Sequence, residues 1–192
     1  MSDWIKMISD EEADGTLKQA LDFARTPHGT FDNVMRMHSL RPSMMTGHVV
    51  LYRACLHDDQ NIIPMWFQEV ISSYVSTLNS CGYSFANHWA NACHLMGDRE
   101  KAEMIEAAFQ IRAPENAFEG AQLAMLRYAE KLTLFPGDMH EADVAALKSE
   151  GISEGEILEV NQIIGYFNYV NRLLNGLGVS TDGDIVGYYK KD

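Results

Sequence analysis

Residues 69–95 read EVISSYVSTLNSCGYSFANHWANACHL, and their periodicity sets the fold class. Val70, Ile71, Tyr74, Val75 and Leu78 recur at helical spacing up to Asn79-Ser80, and Phe85, Trp89, Ala92 and Leu95 recur again between Cys81 and Gly97. Two successive helices follow. On the second, Cys81, Ser84 and His88 are spaced by three and four residues, so they fall near a common face, with Cys81 and Ser84 in its first turn. Free N–H groups and the dipole at a helix start stabilise a thiolate, and a nearby imidazole can take its proton. Glu69, twelve residues before Cys81 on the preceding helix, is placed to orient and charge-balance that imidazole. The spacing predicts that Glu69, Cys81, Ser84 and His88 converge on one site.

Upstream, Ser9-Asp10-Glu11-Glu12 reads as an N-cap with an acidic first turn, and Ala13, Leu17, Ala20, Leu21 and Ala24 extend it into a helix over residues 10–25. Thr26-Pro27-His28-Gly29 breaks it. Phe31, Val34, Met35 and His38 suggest a short helix stopped at Arg41-Pro42, and Pro42 opens the next, with Met45, Val49, Tyr52 and Leu56 inward. Pro64 sits at the start of the helix that carries Glu69.

Downstream, Asp98 caps a helix through Ala102, Ile105 and Phe109, residues 114–134 read as one long helix, and residues 141–148 as a short one. Ser153 and Glu156 form a capping box that opens a last long helix ending near Asn175-Gly176. No strand-length run alternates with period two, so the class is all-α. One domain over residues 1–192 is expected, with its core at about 10–176 and a polar, turn-rich segment at about 180–192 as a tail or docking arm.

The composition excludes several partners. Fifteen Lys and Arg against 27 Asp and Glu leave a formal charge of −12 with no basic cluster, which argues against nucleic acid. The N-terminal residues lack the regions of a signal peptide, and no uncharged apolar run is long enough for a membrane span, so a cytoplasmic protein with no membrane partner is expected. Three cysteines, Cys55, Cys81 and Cys93, are too few and odd in number for a disulfide scaffold.

At residues 69–88 the sequence resembles the alkylhydroperoxidase D and carboxymuconolactone decarboxylase family of all-helical proteins. Its signature is Glu, eleven residues, Cys-x-x-Cys, three residues, His, and here it stands as Glu69, Cys81-Gly82-Tyr83-Ser84 and His88. Val75 to Cys81, Tyr83, Tyr166 to Arg172 and Gly176-Leu177-Gly178-Val179 are similar to the peroxidase-related branch of that family. The resemblance implies an AhpD-like helical bundle, homo-oligomeric, reducing organic hydroperoxides with a thiol reductant and no cofactor. It implies Glu69 and His88 as a proton relay, Cys81 as the resolving thiol, Ser84 at the peroxidatic position and Tyr83 as a substrate-binding residue. Gln68 stands where the branch commonly has arginine. A serine hydroxyl cannot become a sulfenic acid or form a disulfide, so the dithiol cycle cannot run in its usual form.

Three chemistries stay open. Cys81 alone could be oxidised by peroxide and resolved by an external thiol or Cys93. Glu69 and His88 could do acid-base work on a small organic acid, as in a decarboxylase or lyase. A silent site, in a protein that binds a small apolar ligand or simply assembles, is the third. Cys55 and Cys93 read as packing residues, Trp4, Trp66 and Trp89 as packing or interface residues, and Asn168, Asn171 and Arg172 as a helix–helix polar seam. His88 and His94 are six apart, a poor helical spacing for a shared metal, and no metal site is expected.

Overall fold

The computed structural model describes residues 4–189, and among them the chain forms α-helices and short 3₁₀ turns with no strand. The helices run in the order α1 (Gly15–Ala24), α2 (Asn33–Arg36), α3 (Pro42–Leu56), α4 (Met65–Leu78), α5 (Gly82–Met96), α6 (Arg99–Gln110), α7 (Gly120–Leu134), α8 (Glu141–Ser149) and α9 (Glu154–Leu177). No described helix is long and apolar enough to cross a membrane.

Helix α4 is the centre of the bundle and packs on α5, α7 and α9. Val70, Ile71, Tyr74 and Val75 are fully buried, each worth about 1.5–3 kcal/mol of apolar transfer. Its polar residues are buried as well, because each hydroxyl finds a carbonyl one turn back: Ser72 donates to Gln68 O (2.7 Å), Ser73 to Glu69 O (2.8 Å) and Ser76 to Ser72 O (2.7 Å). A serine-rich helix can therefore lie inside without unsatisfied groups. Gln68 is closed off too, donating to Ile63 O at 2.6 Å.

The turn from α4 to α5 decides where the site forms. Ser80 takes a left-handed φ of 52°, and the Cys81 amide donates to Ser76 O at 2.9 Å, which ends α4 and reverses the chain within two residues. Helix α5 then returns along α4, setting His88 against Glu69. Gly97, with φ 61°, ends α5 in the expected place, and the Ser153–Glu156 capping box opens α9.

Three expected boundaries differ. Ser9 and Glu12 do exchange the capping bonds, both at 3.3 Å, but Asp14 is extended and Gly15 enters at φ 47°, so α1 begins only there and not at residue 10. The long helix expected over 114–134 is two pieces, a 3₁₀ turn at Pro114–Asn116 and then α7. Between them Phe118 leaves the helical path to pack against Phe67 and Phe109, and Gly120 re-enters at φ 52°. Helix α9 passes through Gly176 and stops at Gly178, φ 65°, where a Cβ would stand 2.5 Å from the Trp4 indole.

The polar segment after α9 folds back as an arm on α2 and α5; residues 190–192 of the expected tail lie outside the described residues. Asp184 accepts from the Asn33 amide (2.9 Å) and from the Tyr83 hydroxyl (2.6 Å), while Gly187 N donates to Asn87 Oδ1 (3.0 Å) and Tyr188 N to Asn91 Oδ1 (2.7 Å). Asn168 forms the seam expected of it, accepting from Asn79 Nδ2 at 3.1 Å and donating to Thr133 Oγ1 at 3.0 Å.

Candidate functional site

Helices α3, α5 and α9 and the arm line a cavity of ≈ 80 Å³. Ser84 and His88 of α5 both line it. Glu69 stands behind His88, only 1% exposed, and its Oε2 accepts from His88 Nδ1 at 2.6 Å. Asn91 Nδ2 donates to the other carboxylate oxygen at 3.2 Å. Since a carboxylate only accepts, the ring proton lies on Nδ1, leaving the Nε2 lone pair for the cavity. Removing the imidazole would leave the Glu69 carboxylate buried without its charge partner, at a cost of about 3–5 kcal/mol.

Cys81 does not line this cavity. It is 1% exposed and lines a second opening with Ser76, Thr77, Phe85 and Phe109, while Ser84 and His88 line the cavity. Nor does its helix-start position make it a thiolate: burial pushes the thiol up, and the Ser84 backbone amide offsets this only in part. Of the four residues expected to converge, Glu69 and His88 are in contact, Ser84 lines the same cavity as His88, and Cys81 lines the neighbouring opening with its sulfur at the Ser84 backbone amide. The reason is local, because Cys81 precedes the helix with extended backbone (φ −98°, ψ 90°), so helical spacing does not govern its side chain.

The Ser84 hydroxyl is hydrogen-bonded to Ser76 at 2.8 Å, and the Asn171 amide reaches Ser76 at 3.4 Å. Tyr83 presents its ring to the cavity, but its hydroxyl is committed to Asp184 and to the Val34 amide, which donates to it at 3.1 Å. Cys55 is buried and Cys93 half-buried, and burial raises both thiols. Among the described residues no cluster of three or more His, Cys, Asp or Glu is placed to hold a metal.

Four further polar side chains belong to the site. Tyr52 and Tyr166 line the cavity from α3 and α9, and burial pushes both phenols well above their usual range. Their hydroxyls meet imidazoles, Tyr52 at His57 Nε2 (2.9 Å) and Tyr166 at His48 Nε2 (2.7 Å). His57 also stacks on Tyr188 of the arm at 4.6 Å. Asn87 and Asn91 could have been suspected, since they lie on the His88 side of α5, but their role in holding the arm depends on residues almost 100 positions away.

No protein-family model matches the chain, and no curated protein matches it in sequence. Solved structures do match. An uncharacterized peroxidase-related protein with an alkylhydroperoxidase AhpD core, from Ralstonia eutropha JMP134, superposes with a TM-score of 0.80 at 19% identity over 95% of this chain and 93% of that one. An uncharacterized peroxidase-related protein from Silicibacter sp. TM1040 gives 0.76 at 21% identity over 90% and 89%. An alanine variant of the debrominase Bmp8 in complex with 2,3,4-tribromopyrrole gives 0.75 at 17% identity over 95% and 94%. The chain has the AhpD-like all-α fold, and that fold carries more than one activity.

Proposed function

We propose that this chain is an AhpD-fold enzyme in which His88, held by Glu69, acts as general base and acid on a small organic acid bearing an enolisable carbonyl, with no thiol in the reaction. The observation that supports this is the separation of the two chemistries. His88 faces the cavity with its Nε2 unengaged among the described residues, whereas Cys81 lies at another opening with a thiol that burial keeps protonated.

His88 Nε2 takes a proton from the carbon beside the carbonyl, and buried Glu69 balances the imidazolium that forms. The same imidazolium returns the proton to the product. Ser84 lines the same wall from the first turn of α5, with its hydroxyl held by Ser76. Arg25 and Arg53 line the cavity together with Asp32, Arg25 held by Gly29 O and Asp22 and Arg53 by Phe23 O. The test is proton NMR in D₂O with a panel of 2-oxo acids, 3-oxo acids and unsaturated lactones. Exchange or turnover of a panel member that disappears in His88→Ala is the expected result. No reaction with any member, or one that persists in His88→Ala, rejects the reading.

Thiol-dependent hydroperoxide reduction is the second reading, favoured by the peroxidase-related proteins among the structural neighbours. In it the hydroperoxide gives one oxygen to Cys81 and leaves as the alcohol, and a thiol reductant returns the sulfenic acid to the thiol with loss of water. Peroxide consumption that Cys81→Ala leaves undiminished would exclude it.

A further inference from the structure

His38 Nε2 lies 2.8 Å from His48 Nδ1, and His48 Nε2 lies 2.7 Å from the Tyr166 hydroxyl. The three side chains come from the turn after α2, from α3 and from α9, and they are 9%, 2% and 5% exposed. The two ends of this buried chain belong to two separate openings. Tyr166 lines the cavity that holds His88, while His38 lines a separate groove with Arg41, Met44 and Tyr169. Among the described residues His38 Nδ1 has no hydrogen-bond partner. Tyr52 offers no such route, because its histidine partner is stacked under the arm on the cavity side.

We propose that Tyr166, His48 and His38 form a proton wire between the cavity and the far groove, with Tyr166 as the residue that protonates the substrate oxygen. This rests on the acid-base reading of His88. Tyr166 touches the substrate; His48 and His38 are positioning residues that refill it.

The chemistry of the three groups fits. Burial lowers both imidazoles, His48 to about 3, so each is neutral at neutral pH and carries a single N–H. Burial also keeps the Tyr166 phenol protonated. With His38 Nε2–H donating to His48 Nδ1, and His48 Nε2–H donating to the Tyr166 oxygen, the phenolic proton is left unused by the histidines on a residue that lines the cavity. When His88 Nε2 takes the carbon-bound proton, the electron pair left behind moves onto the carbonyl oxygen, which takes the Tyr166 proton. Tyr166 takes the His48 Nε2 proton, His48 Nδ1 takes the His38 Nε2 proton, and His38 Nδ1 takes one from water in the groove. The products are the enol, the His88 imidazolium and a hydroxide that leaves through the groove. Return of the proton along the same path, as the carbonyl re-forms, resets both tautomers without either ring turning.

The test uses the full-length chain labelled with ¹⁵N, with the histidine ring nitrogens followed by long-range ¹H–¹⁵N NMR and phenol as the cavity probe. Tyr166→Phe keeps the ring that fills the core and removes only the hydroxyl. Without probe, this variant should move the His48 and His38 ring signals together, because their tautomers are coupled; movement at His48 with His38 unchanged, or at neither, overturns the wire. With phenol bound, His48 and His38 should respond in the wild type and not in Tyr166→Phe. A response that survives in that variant also overturns it. In His88→Ala the coupled response should remain while carbon-acid exchange is lost. Failure of the acid-base reading would instead show as absent exchange in a wild-type protein whose His48 and His38 still respond together.

Discussion

Glu69 Oε2 accepts a 2.6 Å hydrogen bond from His88 Nδ1 across the α4–α5 contact, and Asn91 Nδ2 holds the second carboxylate oxygen at 3.2 Å. The carboxylate therefore fixes both the tautomer and the direction of the ring, from a position a substrate does not reach. Glu69→Gln should keep the shape and lose the charge that balances the imidazolium. Turnover on whichever carbon acid the NMR panel identifies should fall by about 10²–10⁴-fold, with KM little changed. Steady-state kinetics of the purified variant check this, and a loss confined to KM would contradict the role given to Glu69.

Ser84→Cys would put a thiol on the cavity wall that His88 lines, where Cys81 has none. The new thiol should be alkylated by iodoacetamide at least about ten-fold faster than Cys81, whose burial keeps it protonated. Peptide mass spectrometry resolves the two sites, and peroxide consumption measured on the same variant should rise above the wild type. Equal labelling of both cysteines would mean that the partition of α5 between two openings does not govern reactivity.

His48 gives the fold an acid-sensitive element. Its folded value is lowered to about 3 from 6.5, chiefly by burial and then by His38, so the unfolded chain binds the extra proton first. The stabilising contribution is complete above pH 6.5 and disappears as the pH falls towards 3, on the order of 4 kcal/mol in all. Denaturant midpoints should show a steeper acid limb in the wild type than in His48→Gln, which cannot titrate. Parallel curves would rule this out.

Asp32 acts in the opposite sense. Burial, and next the Asp184 charge on the arm, raise its carboxyl to about 6 from 3.8. Its contribution to stability is complete below pH 3.8 and is lost as the pH rises through about 6. Asp32→Asn should therefore stabilise the protein at neutral pH by about 1–2 kcal/mol, after discounting for the exposed part of the group. The gain should vanish below pH 3.8, which paired denaturant titrations would reveal.

The all-α class, the α4–α5 pair and the Glu69–His88 relation were legible in the sequence because they depend on local rules. Helical periodicity marks Val70 to Leu78, a glycine in the left-handed region marks Gly97, and a capping box marks Ser153. The boundary errors came where a long-range contact outweighed a local one. The helix breaks at Phe118, whose ring packs on Phe67 and Phe109, and Gly178 rather than Gly176 ended α9, where Trp4 packs over it.

What the sequence by itself determined was which residues share a helical face, since that follows from a fixed rise and turn. It could not determine the direction of Cys81, which sits one residue before its helix begins and points by the conformation of a turn. Nor could it join His48 to Tyr166 across 118 positions, or bring Asp184 to Tyr83 across 101. Those pairings depend on how α3, α9 and the arm pack around α4 and α5. Burial within that packing keeps the Cys81 thiol protonated and the His48 imidazole neutral, which no local rule in the sequence foretells.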